Sequence, residues 1–278
     1  MSTQPQADVD KLRRALEDCG AALAVAVSGG VDSMTLAAFA HRSRGASVIM
    51  FHAVSPAVPP QATQRVQSLA RAEAWDLRIV EPDEFAQESY VSNPTDRCLH
   101  CKRSLYSRIR EHTHAHTQLL SGANLDDLGD YRPGLVAAAE ARVRHPWIEA
   151  GIGKAAIRDI ARELGLELIA ELPASPCLSS RVQSGIRIIP RMLRVVDDVE
   201  QALRSSTGAR DLRCRIRRDR VVLEMDPAAL ARLHEAERAR IAVEVSRRFE
   251  QAGHAFPAPP SFEPYRMGSS FVPTEAHR

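Results

Sequence analysis

The hexapeptide Ser28-Gly29-Gly30-Val31-Asp32-Ser33 decides the fold of this chain. It follows an apolar run at residues 21–27 that predicts a buried strand, and it precedes residues 34–40, which predict a helix. Glycine adopts the positive φ that a tight strand-to-helix turn requires, and it lets the backbone approach a ligand closely. The first N–H groups of the helix then face an anion, aided by the helix dipole. The stretch therefore predicts a phosphate-binding turn.

The side chains of this turn indicate which phosphate chemistry it serves. Ser28 and Ser33 add hydroxyl donors, whereas Asp32 places a carboxylate beside the expected phosphate, which most simply calls for Mg²⁺. No Lys-Ser or Lys-Thr follows at the spacing of a Walker loop. The stretch resembles the pyrophosphatase loop (PP-loop) of enzymes that split ATP between its α and β phosphates. This resemblance implies that Ser28, Gly29, Gly30, Asp32 and Ser33 bind ATP and that Asp32 is catalytic. The alternative is an ordinary Ser/Gly turn.

Strand and helix patterns alternate after this turn. Apolar runs at residues 47–54, 77–80 and 118–121 predict further strands, with helical segments between them. This order predicts an α/β domain with a parallel sheet covered on both faces. Because ligands bind beyond the carboxyl ends of such strands, residues 121–124 and the PP-loop are expected to share one pocket. The polar loop that follows, which includes Arg132, is by itself most simply a solvated surface loop.

The pattern changes from Pro190 onward. A helix at residues 190–206, a hairpin formed by residues 212–216 and 221–225, and helices at 227–233 and 236–251 predict a small α+β domain. We expect three regions. A PP-loop ATP-binding domain covers residues 1–172, a cysteine loop with an α+β substrate or oligomerisation domain covers 173–255, and an irregular tail covers 256–278.

Composition limits the class of protein. The 278 residues are 44% hydrophobic, enough for a sizeable core, and no apolar run approaches the length of a membrane span. The first ten residues carry no signal-peptide pattern, so we expect a cytoplasmic protein without a membrane partner. A net charge of +2 does not predict a nucleic-acid partner. Five cysteines, an odd number, favour metal or thiol chemistry over a disulfide framework.

One of those cysteines lies in a loop rich in proline and serine. Pro173 and Pro176 exclude a regular helix around Cys177, so the thiol is expected in an exposed or clefted loop. The nearby Arg181 favours the thiolate, because a cation lowers a thiol pKa. This pattern indicates a reactive cysteine, since a structural one normally lies within an apolar periodic run.

Three motifs together resemble one family within the PP-loop enzymes. The PP-loop, residues 124–134 and the element Pro-Cys-Leu-Ser-Ser-Arg at 176–181 resemble the ATP-dependent sacrificial sulfur transferase (LarE) family, from about residue 10 to about residue 250. The resemblance implies a homo-oligomer that helps to make the nickel-pincer nucleotide. It adenylates a carboxylate of a pyridinium biscarboxylic acid mononucleotide and releases pyrophosphate. Cys177 then attacks, and cleavage of its Cβ–S bond leaves a thiocarboxylate and dehydroalanine.

The resemblance also assigns residues to the two ligands. It implies ATP contacts for Asn124 and Arg132. It implies substrate contacts for Arg181, Glu200, Arg213 and Arg215, the last two being an arginine pair on one face of a strand that suits a phosphate. Cys19 and Cys214 are expected to be structural. The sequence departs from the family pattern at Ser184-Gly185 and Ile189, which affects substrate placement more than reaction type.

Cys98 and Cys101 form a lone CxxC motif, which is compatible with zinc, redox or iron–sulfur chemistry. Neither a zinc-finger spacing nor a thioredoxin-like position is present. The remaining interpretation is that Cys98, Cys101 and Cys177 together hold a 4Fe–4S cluster with one open iron, so that Cys177 would not be consumed. This arrangement resembles that of some members of the family and of some PP-loop enzymes that thiolate tRNA. Simple packing of the two thiols is the alternative.

Three other functions compete with carboxylate thiolation. A PP-loop enzyme that thiolates tRNA through a 4Fe–4S cluster predicts a basic RNA-binding surface, which the near-neutral charge disfavours. An amide-forming ligase resembling NAD synthetase needs neither Cys177 nor the CxxC pair. An iron–sulfur scaffold protein does not need the PP-loop.

Overall fold

The computed structural model describes residues 4–129, 132–174 and 176–266. The chain forms two compact units, of which the first contains Met1–Glu84 and Cys98–Ser175, and the second contains Phe85–Arg97 and Pro176–Arg278. The predicted domains at 1–172 and 173–255 differ from this division chiefly at Phe85–Arg97, which belongs to the second unit. None of the described helices has the length and apolar character needed to cross a bilayer.

Helices, strands and short 3-10 turns make up the described part of the chain. The α-helices are α1 Gln4–Glu17, α2 Val31–Arg44, α3 Pro60–Ala72, α4 Glu88–Val91, α5 Arg97–Glu111, α6 Pro133–Glu140, α7 Pro146–Glu149, α8 Lys154–Glu163, α9 Glu167–Ala170, α10 Pro190–Thr207, α11 Pro227–Arg232 and α12 Glu235–Gln251. The strands are β1 Leu23–Ala26, β2 Val48–Ala53, β3 Asp76–Val80, β4 Gln118–Ser121, β5 Leu212–Ile216, β6 Val221–Met225 and β7 Ser261–Pro264. The 3-10 turns span Gly45–Ser47, Glu84–Ala86, Leu125–Gly129 and Leu178–Arg181.

The first unit is built on a parallel four-stranded sheet in the order β3-β2-β1-β4. Alternate residues of its central strands face opposite cores. Val25 packs into the core that includes Met34 of α2, whereas Ala24 packs into the core that includes Ile109 of α5. The sheet is therefore covered on both faces, which confirms the predicted α/β class. The carboxyl ends of β1 and β4, which are neighbours, lie side by side.

The second unit contains a three-stranded sheet in the order β5-β6-β7 with α10, α11 and α12. The predicted hairpin is confirmed, because β5 and β6 pair antiparallel over the expected residues. The prediction of an irregular tail from residue 256 is wrong in one segment, since β7 pairs in parallel with β6. The Pro-rich sequence hid this strand, and proline is tolerated there because Pro264 ends an edge strand. Residues 267–278 of the predicted tail lie outside the described residues.

Candidate active site

The PP-loop joins β1 to α2 as a tight turn. Gly29 has φ +86°, and a Cβ at that position would lie 2.8 Å from the carbonyl oxygen of Ala62. The Ser28 N–H donates to Ser33 Oγ at 3.0 Å, and the two hydroxyl oxygens are also 3.0 Å apart. Helix α2 begins directly after Gly30. The predicted strand–turn–helix arrangement is therefore confirmed, and only glycine fits at position 29.

The loop after β4 lies directly against this turn. A Cβ on Gly122 would come within 2.7 Å of the backbone nitrogen and Cα of Ser33, so the absence of a side chain permits the contact. Ser121 Oγ lies 2.8 Å from His145 Nδ1, and burial lowers the pKa of His145. The two loops therefore lie in contact, as a shared pocket requires, and the shared pocket stays a prediction.

Asp32 occupies the first turn of α2 with its carboxylate only half satisfied. Oδ2 lies 3.1 Å from the ammonium nitrogen of Lys154, whereas Oδ1 is shielded from solvent and has no hydrogen-bond partner among the described residues. Burial raises the pKa of Asp32, and the Lys154 charge opposes that shift. The Trp147 indole N–H donates to the backbone carbonyl of Asp32 at 3.1 Å. A buried carboxylate oxygen without a partner is a suitable ligand for a hard cation.

The polar loop after β4 is an organised structure, which corrects the interpretation of it as simply solvated. Asn124 is buried, and its Oδ1 accepts a hydrogen bond from the Asp126 N–H at 3.0 Å. Asp126 in turn accepts from the Lys154 N–H at the start of α8, at 2.8 Å. Arg132 pairs with Asp127 at 2.8 Å and keeps 48% of its side chain exposed. Asp130 and Tyr131 lie outside the described residues.

Two basic residues at this site were missed from the sequence. Lys154 contacts Asp32, and the Arg65 Nε–H donates to the Gly29 carbonyl at 3.1 Å, with burial lowering the pKa of Arg65. Lysine is rare in this chain: Lys11, Lys102 and Lys154 are the only ones among 37 basic residues. That rarity was the available signal for Lys154, whereas nothing in the sequence distinguishes Arg65 from the other arginines.

The second unit contains the cysteine loop, which we define as residues 176–189. Cys177 is half-buried and directly precedes the 3-10 turn Leu178–Arg181. Its carbonyl accepts hydrogen bonds from the Ser180 N–H at 3.0 Å and from the Ser180 hydroxyl at 2.7 Å. The thiol is thus presented on a backbone that is locally fixed.

Arg181 and Glu200 form a buried ion pair in which each side chain is 2% exposed. Arg181 Nε and Nη2 donate to the two Glu200 oxygens at 2.9 and 3.1 Å. Nη1 donates to the Pro176 carbonyl at 2.8 Å. Burial alone would raise the pKa of Glu200, yet the Arg181 charge and hydrogen bond hold it below its ordinary value. The structure brings these two predicted substrate residues together, each engaged with the other.

Arg213 and Arg215 point from one face of β5, as their spacing predicts, and both are buried. Arg215 Nε donates to Glu224 at 2.8 Å, while the Arg213 guanidinium lies over the ring of Tyr265, 5.2 Å from its centroid. Burial lowers the pKa of Arg213, and the charge of Arg181 acts in the same direction. Among the described residues, the ion pairs and charge interactions of these side chains involve more guanidinium groups than carboxylates: Arg181, Arg204, Arg213, Arg215, Arg217, Glu200 and Glu224.

The five cysteines fall into distinct environments, and none forms a disulfide. Cys19 and Cys214 are buried, and burial raises the pKa of Cys19 to about 11 and that of Cys214 well above its ordinary value. Cys98 and Cys101 are half-buried near the start of α5 and belong to the first unit, whereas Cys177 belongs to the second. Across the described residues, no group of three or more Cys, His, Asp or Glu side chains could hold a metal ion.

The parallel sheet, the tight turn between β1 and α2 and the carboxylate at the start of α2 define an α/β protein with a PP-loop type of fold. Sequence comparisons narrow the class. An uncharacterized protein of Synechocystis sp. is 34% identical over 224 residues, 80% of this chain and 82% of the relative. An uncharacterized protein of Methanocaldococcus jannaschii is 25% identical over 232 residues, 82% of this chain and 85% of the relative.

A third relative has an assigned activity. The pyridinium-3,5-bisthiocarboxylic acid mononucleotide synthase of Lactiplantibacillus plantarum is 29% identical over 209 residues, 74% of this chain and 75% of the relative. No family model matches the chain. With 34% identity over four-fifths of both sequences, the chain belongs to the family of the Synechocystis protein, and it is also similar to the synthase.

Proposed function

We propose that this protein is an ATP-dependent sulfur transferase that converts a carboxylate of a pyridinium biscarboxylic acid mononucleotide into a thiocarboxylate, in biosynthesis of the nickel-pincer nucleotide. One observation carries the proposal: the half-buried Cys177 follows Pro176 on an ordered loop, in a chain whose other unit contains a PP-loop. The similarity to the L. plantarum synthase supports the choice of substrate class.

The first unit binds and orients ATP in this proposal. Ser28, Gly29, Gly30, Ser33 and the start of α2 offer hydroxyl and backbone N–H donors to the phosphates, and Asn124 and Arg132 contact the nucleotide from the loop after β4. Asp32, whose buried Oδ1 has no hydrogen-bond partner among the described residues, would hold Mg²⁺. When bound, Mg²⁺ neutralises polyphosphate charge and favours departure of pyrophosphate. Lys154 balances the Asp32 charge when no cation is present.

The second unit binds the nucleotide substrate in this proposal. Arg213 and Arg215 receive the substrate phosphate, because guanidinium groups suit a phosphate and outnumber carboxylates among the described side chains that interact there. Arg181 and Glu200 act on the substrate indirectly, by fixing the cysteine loop. Arg181 donates both to Glu200 and to the Pro176 carbonyl of that loop.

Sulfur transfer follows adenylation of the carboxylate. The Cys177 thiolate attacks the acyl carbon, the C–S bond forms, and AMP leaves with the electron pair of the broken C–O bond. A base then removes the Cα proton of Cys177, the Cβ–S bond breaks, and the sulfur leaves as the thiocarboxylate. Dehydroalanine remains at position 177, so each protein molecule donates one sulfur atom.

A 4Fe–4S cluster on Cys98, Cys101 and Cys177 remains the alternative sulfur-transfer arrangement. Among the described residues, no group of three or more Cys, His, Asp or Glu side chains could hold a metal ion. Anaerobic purification followed by iron and acid-labile sulfide analysis tests it. Stoichiometric iron that is lost in Cys98→Ala protein would replace the sacrificial route with a cluster route.

The proposed function is tested by supplying ATP, Mg²⁺ and the pyridinium nucleotide, then measuring pyrophosphate and thiocarboxylate. We expect both products from the native chain. Cys177→Ser protein should still release pyrophosphate but form no thiocarboxylate, because adenylation precedes thiol attack. Cys214→Ser provides the matched control for removal of a thiol, since Cys214 is buried. Thiocarboxylate formation without Cys177 would contradict the proposal.

A further inference from the structure

The second unit includes a short segment, Phe85–Arg97, that is separated in sequence from the rest of the unit. We call this segment the strap. It contains α4 and three buried polar side chains, Tyr90, Asn93 and Arg97. The strap contacts the cysteine loop repeatedly. At one end of the contact, the Ile188 N–H donates to the Val91 carbonyl at 2.8 Å.

Asn93 makes the densest of these contacts. Its side-chain amide nitrogen lies 2.9 Å from the Gln183 carbonyl oxygen, 3.0 Å from that of Ile186 and 3.3 Å from that of Val182. Its backbone carbonyl accepts the Gly185 N–H at 2.8 Å. Asn93 thus contacts the backbone of the cysteine loop at four positions, namely residues 182, 183, 185 and 186.

The backbone of Asn93 is suited to this role. It has φ +58° and follows the short helix α4, a position where asparagine adopts the left-handed conformation more readily than other side chains. The residue is fully buried. A buried amide is costly unless its hydrogen bonds are made, and directional bonds to carbonyls define a backbone orientation that apolar packing alone does not.

Two further strap side chains extend the contact toward Cys177. The Arg97 guanidinium donates to Asn93 Oδ1 and, at 3.1 Å, to the Ser179 carbonyl. The Tyr90 and Ser179 hydroxyl oxygens are 2.7 Å apart. Ser179 is fully buried and lies two residues after Cys177, so the hydrogen-bonded chain from Asn93 ends beside the reactive residue.

We propose that Asn93 is the positioning residue of the reactive cysteine. Through the strap it holds the cysteine loop in the conformation that presents the Cys177 thiol, whereas Ser180 and Arg181 fix only the immediate neighbourhood of that residue. The inference rests on the proposed function for its effect on turnover. Its effect on thiol reactivity is independent of any substrate.

Three variants test it. Asn93→Gly keeps the left-handed backbone and removes the side-chain bonds. Tyr90→Phe removes only a hydroxyl, so it is a milder variant that should fold. Val245→Ala removes buried apolar atoms from α12 in the same unit, outside the strap and the loop, and serves as the control for a general loss of stability.

The first measurement is the rate of Cys177 alkylation by iodoacetamide without nucleotide, followed on the peptide by mass spectrometry. Each variant is measured at the same interval below its own melting temperature. We expect the rate to rise about tenfold in Asn93→Gly and about threefold in Tyr90→Phe, because the loop opens locally, and to stay unchanged in Val245→Ala. Native rates in both strap variants, or an equal rise in the control, would overturn the inference. If Asn93→Gly does not fold, Tyr90→Phe and the control decide.

The second measurement is single-turnover thiocarboxylate formation. We expect the first-turnover rate constant to fall about tenfold in Asn93→Gly while the KM for ATP stays within about twofold, because nucleotide binding belongs to the first unit. A parallel loss of both would contradict a positioning role. If native protein makes no thiocarboxylate, the proposed function fails, and the alkylation result still decides the role of Asn93.

Discussion

The PP-loop region and the cysteine loop handle their polar groups in opposite ways. At the PP-loop, Asp32 Oδ1 is buried without a hydrogen-bond partner among the described residues. Around the cysteine loop, Arg181 uses all three of its guanidinium nitrogens, and Asn93 engages several backbone groups. This difference agrees with the proposed function, in which the first region receives a charged ligand and the second holds one thiol in place.

Replacing Glu200 by alanine should produce the largest loss of stability. It leaves the buried Arg181 charge without its carboxylate, and breaking a buried ion pair in this way costs about 3–5 kcal/mol in the free energy of unfolding. Urea denaturation measures the loss. Glu244→Ala is the matched control, because Glu244 also pairs with two arginines but is exposed, so its urea midpoint should barely move.

The pH dependence of the same pair follows from the lowered pKa of Glu200. Its contribution to stability is present above the ordinary glutamate pKa and is lost as the pH falls through the lower folded-state value. Glu200→Gln protein should therefore lose less stability on acidification than the native chain. Identical acid dependence in the two proteins would show that the pair is not a stabilising contact.

Asp32→Ala should reduce pyrophosphate release about 10²–10³-fold, because it removes the ligand proposed for the cation that acts on the polyphosphate. The fold should survive, since the carboxylate takes no part in the hydrophobic cores. Circular dichroism and pyrophosphate release are the measurements, with Asp159→Ala on the exposed face of α8 as the control. Unchanged release in Asp32→Ala would refute the assignment of the PP-loop.

Gly122→Ala should separate the two loops at the end of the sheet. The new Cβ would lie 2.7 Å from the Ser33 backbone, and such overpacking typically costs about 1–3 kcal/mol. We expect weaker ATP binding by calorimetry together with a lower melting temperature. Gly129→Ala is the control, because a methyl group at that position would meet no atom within 4 Å among the described residues. Equal ATP affinity in the two variants would show that this contact does not shape the site.

The last prediction concerns the order in which the cysteine thiols react, and it involves no change to the structure. Because burial raises the pKa of Cys19 to about 11, its thiolate fraction in the folded protein should stay low until the pH approaches that value. Cys214 should react only on unfolding, whereas the half-buried Cys177 should react in native protein. Peptide-level alkylation between pH 7 and pH 11 measures the order. Early modification of Cys214 would contradict the assigned environments.

Much of the fold followed from local patterns, which is why the hairpin of β5 and β6 was predicted with its bounds. The PP-loop was predictable because its glycines satisfy a local backbone requirement. The pairing of Asp32 with Lys154 was missed, since the two residues are 122 positions apart and no local pattern links them. The strap was missed for the same reason: Asn93 binds carbonyl groups about ninety positions away, and any sequence supplies those carbonyls.

The mass of the protein after a single turnover tests the central claim most directly. Protein prepared without bound metal is supplied with ATP, Mg²⁺ and the pyridinium nucleotide. After one turnover, the mass of the peptide containing Cys177 is measured. The account predicts loss of the elements of hydrogen sulfide at position 177, in step with the thiocarboxylate formed, and no change at Cys98 or Cys101. Thiocarboxylate formation over several turnovers with Cys177 intact would contradict it.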